Sequence, residues 1–191
     1  MKMSLLSYLR KRKIDKRVKK FSTTSEYKTW NEVKSVLLLF ESNFKEQNDD
    51  VRQLMWRLQD EGKKVSACMF VDVKVSPTMS RDNFVVLDRK SIGLFGIYKS
   101  DTAVNVVENE QFDLVLDLTT HLVYPLMYFM LDVHATMRCG KVKEELEVSP
   151  YDMQMEMQMP DFGDDEEAKE KYNERIEIAE QIIKYLKMIK K

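Results

Sequence analysis

The chain has 191 residues, of which 43% are hydrophobic and 33% charged, with only five glycines and four prolines. This composition supplies enough apolar side chains for one packed domain plus an extension, and it excludes a disordered or loop-dominated chain. The net charge of -1 hides an asymmetry, because the first thirty residues carry ten Lys or Arg against Asp15 and Glu26 and so hold a charge of about +8.

The first twenty residues predict a basic helix. Residues 3–20 contain neither Gly nor Pro and are rich in helix-favouring side chains. Ile14 and Val18 share an arc with basic residues, so the helix is poorly amphipathic and is expected to pack weakly or to project. Residues 1–24 are therefore interpreted as an arm, and residues 25–191 as the folded domain.

The folded domain begins with a strand, a helix and a second strand. Val36–Phe40 is a continuous apolar run of strand length, the pattern of a strand that is buried on both faces. Apolar residues then recur at helical spacing over residues 43–60, and Gly62 ends the helix. Val65–Val71 is the second apolar strand. Because one helix separates the two strands, they are expected to run parallel in a Rossmann-like βαβ unit.

A second unit of the same kind follows a polar stretch. Asp72–Arg89 is interpreted as a connection, and Ile92–Gly96 as a short strand or loop. Phe112–Leu118 is a further apolar strand. It leads into a helix predicted for residues 124–138 and then a short strand at residues 139–142.

The C-terminal part predicts one more strand and a long helix. Methionines alternate with Gln and Glu within residues 151–159, which indicates a strand with one thioether face. This face is interpreted as core or partner packing, with copper(I) ligation as the alternative. A helix follows at about 164–190, acidic at its start and basic at its end. The prediction is a single three-layer α/β domain with a largely parallel sheet, a basic N-terminal helix and a long C-terminal helix.

Four short segments carry a resemblance to a known family: Ser91–Gly96, Phe112–Leu118, Pro125–Leu126 and Cys139–Lys141. Together they resemble an uncharacterised family of small proteins from Bacteroidota bacteria, and the likeness covers nearly the whole chain. That family has no assigned activity. The resemblance therefore implies no functional residues.

The strand Phe112–Leu118 is also similar to the aspartate-containing strand in the N-terminal domain of heptosyltransferase-like glycosyltransferases. The likeness is short, and the first strand-to-helix turn, Glu41–Phe44, contains no glycine. The chain also has no second nucleotide-binding domain. The resemblance implies a parallel sheet and carries no activity with it.

The two cysteines and the lengths of the apolar runs indicate the cellular compartment of the protein. Cys68 and Cys139 lie in separate apolar stretches without paired spacing, which predicts buried, reduced thiols. The apolar start of the chain is cut off by Arg10–Lys13 before it reaches the length of a signal peptide, and the longest later apolar run, Leu122–Met130, is too short to cross a bilayer. We expect a cytoplasmic protein without a membrane span.

Polar residues follow the predicted parallel strands and define a candidate ligand crevice. Ligands of open parallel sheets bind outside the carboxyl ends of the strands. The residues expected there are Asp72, Thr119, Thr120 and His121. In an enzyme, His121 would act as an acid or base and Asp72 would orient it. The alternative is that the two threonines cap the following helix and His121 is a loop residue.

Two further acidic residues lie within predicted secondary-structure elements. Asp117 lies within an apolar strand, where a carboxylate is either functional or anchors a loop backbone. Asp132 and His134 are two residues apart on a predicted helix and do not share a face, so no metal site is predicted there.

The leading functional hypothesis is a non-enzymatic interaction module whose arm binds RNA or an acidic protein surface. The candidate contacts are the basic residues of the arm: Arg10, Lys11, Arg12, Lys13, Lys16, Arg17, Lys19 and Lys20. A solvated or self-docked helix is the alternative, and leucines beside the basic run leave a membrane-surface role open. The alternative function is a small-molecule-binding protein or enzyme that uses the crevice. The sequence predicts no cofactor.

Overall fold

The computed structural model describes residues 5–21, 26–43, 48–74, 83–93, 95–99, 107, 109–158, 160–163, 167 and 172–189. The elements in chain order are α1 (Leu5–Lys20), β1 (Ser35–Glu41), α2 (Asp49–Asp60), β2 (Lys64–Val71), β3 (Phe84–Asp88), β4 (Gln111–Asp117), α3 (Tyr124–Asp132), β5 (His134–Lys141), β6 (Met153–Met155) and α4 (Glu174–Met188).

These six strands form one parallel sheet in the order β3-β2-β1-β4-β5-β6. β1 lies at the centre, where Leu38 is aligned with Ala67 of β2 and with Leu116 of β4. Its apolar run is buried on both faces because helices cover the sheet on both sides. The prediction of a three-layer α/β fold is confirmed.

Two hydrophobic clusters lie on opposite faces of the sheet. One cluster joins Val36, Leu38 and Phe40 of β1 to the buried faces of α2 and α4. The other joins Leu37 and Leu39 to α1 and α3. Successive side chains of a strand point to opposite faces, so β1 alone supplies the middle of both clusters.

The N-terminal helix is docked, contrary to the expectation that it would pack weakly or project. Ile14 is fully buried and Val18 nearly so, and both belong to the cluster that contains α3. Phe21 packs against the same cluster, and the guanidinium of Arg138 lies 4.6 Å from the centre of its ring. Two well-placed apolar residues are enough to seat the helix, although its overall amphipathicity is weak.

Two predicted elements of the sheet region were wrong. The helix expected for residues 124–138 ends at Asp132, and the remainder forms β5, which pairs with β4. The stretch interpreted as a connection at Asp72–Arg89 contains β3, whose Val85 and Leu87 are buried. Pairing with β4 overrides the local pattern in β5, whereas Phe84–Leu87 of β3 is a short run of strand-favouring side chains that agrees with the structure.

The methionine row and the C-terminal helix pack together. Met153 and Met155 form β6, and together with Met157 they pack against the cluster beneath α4. Met159 and most of residues 164–171 lie outside the described residues. From Glu174 onward α4 follows the predicted pattern, with Ile183 and four other apolar residues buried.

Candidate functional site

The order of the strands reverses between β1 and β4, since the chain extends from β1 to β2 and β3 on one side and from β4 to β5 and β6 on the other, and a crevice opens there. From β1 the chain continues to α2 on one face, whereas from β4 it continues to α3 on the other face. Loops that leave neighbouring strands toward opposite faces cannot cover the gap between them. The carboxyl end of β1 at Glu41 and the loop after β4 at Thr119–His121 therefore border an open space.

The crevice has two lobes with a common wall. The first has a volume of about 790 Å³ and lies toward α4, and the second, of about 510 Å³, lies toward α1 and α3. Glu41, Phe70 and Asp72 line both lobes. Both volumes fall in the range of small-molecule sites.

The lobes differ in chemistry. Polar groups of the first lobe come from the loops after β1 and β4 and from the start of α4: Ser42, Asn43, Thr119, Thr120, Asn173 and Arg175. The second lobe is mostly apolar and is lined by Ile92, Leu122, Val123 and Pro125 beside Arg10, Arg89 and His121. Gly96 has φ 79°, and a Cβ on it would lie 2.8 Å from Cβ of Tyr124, so only glycine lets this loop approach α3 so closely.

His121 and Glu41 face each other across the point where the strand order reverses. Nδ1 of His121 lies 3.3 Å from Oε1 of Glu41, and both side chains are substantially exposed. The hydroxyl of Thr120 lies 3.4 Å from the same ring nitrogen. The partner of His121 is thus Glu41, whereas the sequence had assigned that role to Asp72.

Asp72 has a different partner. Its carboxylate accepts two hydrogen bonds from Arg89, from Nε at 3.0 Å and from Nη2 at 3.1 Å. This bidentate pair connects the end of β2 to the residue after β3. The crevice thus contains all four predicted residues, because Asp72, Thr119, Thr120 and His121 all line its lobes.

A buried polar cluster supports the floor of the first lobe. Asp117 accepts hydrogen bonds from the backbone N–H and the hydroxyl of Thr119, at 2.9 and 2.7 Å. Nζ of Lys143 donates to the hydroxyl of Thr119 at 2.8 Å and lies 3.6 Å from Asp117. Tyr151 donates to the same carboxylate. Asp117 therefore anchors the loop after β4, one of the two roles considered for it.

Lys143 and Tyr151 were not predicted as part of the site. They lie in the segment after β5 and are brought to the end of β4 only by the sheet order. Gly140 leaves room for the side chain of Tyr151, because a Cβ atom at residue 140 would lie 2.8 Å from the tyrosine ring. No local signal marks these residues in the sequence.

A second clamp joins α4 to the β1 side of the crevice. Arg175 donates two hydrogen bonds of 2.5 Å to Asp50 at the start of α2, and a third of 3.3 Å to the carbonyl of Glu41. Burial alone would raise the pKa of Asp50, but the hydrogen bonds from Arg175 and Asn173 outweigh it and lower that pKa. The carboxylate therefore stays ionised and holds the start of α4 beside the first lobe.

The start of α2 is poorly suited to a phosphate. In parallel sheets that bind dinucleotides, the helix after the first strand presents free N–H groups and a positive dipole end to the pyrophosphate. Here the first turn of α2 carries Asp49 and Asp50. Only Asp50 is paired with Arg175, and Asp49 forms an exposed pair with Arg52. Because both carboxylates are paired with arginines, this helix end has no surplus of positive charge to offer an anion.

The model of a family of unknown function, DUF6913, matches residues 7–189. The chain belongs to this family. No curated protein and no solved structure matches it significantly.

The arm of this DUF6913 protein divides into an inner and an outer side. Ion pairs tie the inner side to the domain and to itself: Lys11 with Asp15, Arg17 with Asp132 and Lys19 with Glu147. Lys13 lies 3.5 Å from the centre of the Phe95 ring, and Arg10 lines the second lobe. The basic side chains on the outer side are exposed: Arg12, Lys16 and Lys20.

The described residues of this DUF6913 protein contain neither a membrane-spanning helix nor a cluster of metal ligands. None of their helices is long and apolar enough to cross a membrane. No three His, Cys, Asp or Glu side chains among them are grouped as metal ligands. Cys68 and Cys139 are free thiols, and both are buried.

Proposed function

We propose that the protein binds a small polar molecule in the two-lobed crevice at the point where the strand order reverses. The observation that carries this proposal is the shared wall of Glu41, Phe70 and Asp72, which joins a polar lobe to a largely apolar one. Such a site positions one ligand across both lobes. The alternative hypothesis drawn from the sequence is thus the better supported one.

The chemistry of the wall narrows the ligand class. Carboxylates accept hydrogen bonds and repel anions, while Phe70 and the hydroxyls of the first lobe suit a polyhydroxylated ring. The two carboxylates in the first turn of α2 are paired with the arginines beside them, which leaves no surplus of positive charge for a phosphate. We infer a ligand with a sugar-like part in the first lobe and a flat apolar part in the second, without phosphate, as in a nucleoside or an aryl glycoside.

Ligand-observed NMR on the full chain tests this proposal. The probes are adenosine, AMP, phenyl glucoside and NAD. Adenosine or the glycoside should bind, and the phosphorylated compounds should bind more weakly. Glu41→Gln should weaken binding by about tenfold, the effect of one hydrogen bond to a charged group. Glu26→Gln, an exposed site on the arm-side segment, is the matched control. Saturation by NAD with no response to adenosine contradicts the proposed ligand class.

The second candidate function concerns the outer side of α1. Arg12, Lys16 and Lys20 are exposed on a helix whose inner side is packed against the domain. A fixed row of cations matches an anionic partner and needs no ordering of the helix on binding. We propose that this basic row binds an anionic polymer or surface, as the sequence suggested for RNA or an acidic protein.

A salt titration tests the second candidate. The full chain and an Arg12→Gln/Lys16→Gln/Lys20→Gln variant are titrated with single-stranded RNA at increasing salt. Each lost phosphate contact should reduce the slope of log affinity against log salt by about 0.7. Equal slopes for the two proteins would show that the row does not bind RNA phosphates.

Three broader inferences concern the location, the source and the activity of the protein. The buried free thiols of Cys68 and Cys139 favour a reducing compartment, so we propose a cytoplasmic location. The family resemblance seen in the sequence further suggests a Bacteroidota source. The likeness of β4 to a glycosyltransferase strand supports the parallel topology alone, and we propose ligand binding without catalysis.

A further inference from the structure

The outer side of α1 is not uniformly basic, because it begins with exposed apolar side chains. Leu5 is 76% exposed, Tyr8 51% and Leu9 36%. The buried residues of the same helix, Ile14 and Val18, lie on its other side. Large apolar side chains that are exposed to solvent on a helix packed against the domain are suited to contact an apolar partner.

The apolar and basic residues form one continuous stripe. Leu5, Leu9, Arg12, Lys16 and Lys20 are spaced three or four residues apart, which places them on one side of a helix. Because Ile14 is rotated by about half a turn from this stripe, the stripe faces away from the domain. The leucines occupy the N-terminal end, and the cations occupy the following turns.

We propose that this stripe docks on an anionic lipid bilayer, with the leucines entering the acyl boundary and the cations contacting lipid headgroups. The inference rests on the second candidate function and names its partner. Exposed leucines have no counterpart on RNA, whereas a bilayer offers hydrocarbon beside negative charge. Tyr8, at the edge of the stripe, is the type of residue that favours the boundary between headgroups and acyl chains.

Because the helix is packed against the domain, it favours a bilayer over a partner that could bind only after the arm had detached from the domain. Ion pairs from Arg17 and Lys19 to Asp132 and Glu147 hold the inner side in place. The stripe is therefore presented as a preformed flat surface. Neither the apolar end nor the basic row is large, so both signals are needed for stable binding.

Vesicle co-sedimentation of the full chain tests the proposal, with phosphatidylcholine vesicles that either contain or lack phosphatidylglycerol. Binding is expected only to the anionic vesicles. Arg12→Gln/Lys16→Gln/Lys20→Gln should reduce it by about a hundredfold, because each cation near such a surface contributes close to a factor of five. Leu5→Ser/Leu9→Ser should reduce it by at least about tenfold.

Matched control variants show whether vesicle binding depends on this stripe or on the general charge and hydrophobicity of the protein surface. Lys34→Gln/Lys74→Gln/Lys184→Gln removes three exposed cations elsewhere, and Ile97→Ser/Val148→Ser removes two exposed apolar side chains. Both should bind anionic vesicles as the wild type does. Thermal melts of every variant show whether the fold is retained.

The outcomes separate the two proposals. Loss of binding in both stripe variants, with unchanged controls, supports docking on a bilayer. Binding that is insensitive to Leu5→Ser/Leu9→Ser overturns it. RNA binding without vesicle binding overturns the bilayer as partner and leaves the second candidate function standing, and binding to neither overturns both.

Discussion

The hydroxyl of Tyr151 lies 2.5 Å from Oδ2 of Asp117, and both groups are buried at the carboxyl end of β4. Burial raises the pKa of the tyrosine, and the neighbouring carboxylate raises it further. The phenol therefore remains a proton donor to the carboxylate. Because Asp117 also holds Thr119, this bond fixes the loop that forms part of the first lobe.

The first prediction concerns that bond. Tyr151→Phe removes one donor from a buried carboxylate and should lower the free energy of unfolding by about 1–3 kcal/mol. Urea denaturation of the two proteins measures the difference. Tyr27→Phe is the matched control, since its hydroxyl also donates one hydrogen bond, to the carbonyl of Asp152, but is exposed. Equal losses in both variants would contradict the importance of burial.

Three of the strands that the sequence predicted share one property. β1, β2 and β4 are continuous apolar runs, and such runs have few alternatives to a strand buried on both faces. β3 is an edge strand within a polar stretch, with Val85 and Leu87 buried on one face and Phe84 and Val86 partly buried on the other. Phe84–Leu87 is a short run of strand-favouring side chains, so the local pattern did indicate this strand, and the interpretation of the whole stretch as a connection passed over it.

The helix predicted for residues 124–138 shows a different limit. A helix accommodates Leu131, Met137 and Arg138 as well as a strand does. No Gly or Pro marks the boundary after Asp132. Pairing of β5 with β4 decides the outcome.

The site was predictable only in outline. The rule that ligands bind at the carboxyl ends of parallel strands brought Asp72 and His121 to one crevice, where the structure also places them. The actual partners of these side chains, Arg89 and Glu41, depend on how loops from different strands meet. Lys143 joins the floor from a separate segment, and only the folded topology shows it.

The second prediction concerns the docking of α1. Ile14→Ala leaves a cavity in the cluster beneath α3 and should lower the free energy of unfolding by about 2–4 kcal/mol. Leu9→Ala on the same helix removes a side chain of equal size that is already exposed, so it should change stability little. Thermal or urea unfolding measures both. A small effect of Ile14→Ala would show that the helix is not seated as described, and deletion of residues 1–20 would then leave the domain intact.

The third prediction concerns α4. Ile183→Asp places a charge among buried apolar residues, where it has no compensating partner, and should lower the free energy of unfolding by several kcal/mol, of the order of a domain's whole stability of about 5–15 kcal/mol. Lys184→Asp introduces the same side chain one residue further on, at an exposed position, and should be tolerated. Chemical denaturation followed by circular dichroism distinguishes the two. An unchanged midpoint for Ile183→Asp would mean that α4 is not docked on the sheet.

The last prediction concerns Asp113 and acid stability. Burial alone would raise the pKa of Asp113, but Lys28 and the backbone N–H groups of Lys34 and Ser35 outweigh it and lower that pKa. The backbone groups lie 2.8 and 3.1 Å from Oδ2, and Lys28 forms an ion pair with Oδ1. Because the folded pKa lies below the unfolded value of about 3.9, the stabilisation is complete above that pH and is lost as the pH falls through the folded pKa.

Asp113→Asn should therefore lower the free energy of unfolding by about 1–3 kcal/mol at neutral pH, and the gap between variant and wild type should narrow below about pH 4. Urea unfolding at a series of pH values measures this gap. Glu26→Gln, which removes an exposed carboxylate, serves as the control at neutral pH. A gap that stays constant on acidification would show that Asp113 stabilises the start of β1 by its shape and hydrogen bonds, independently of its charge.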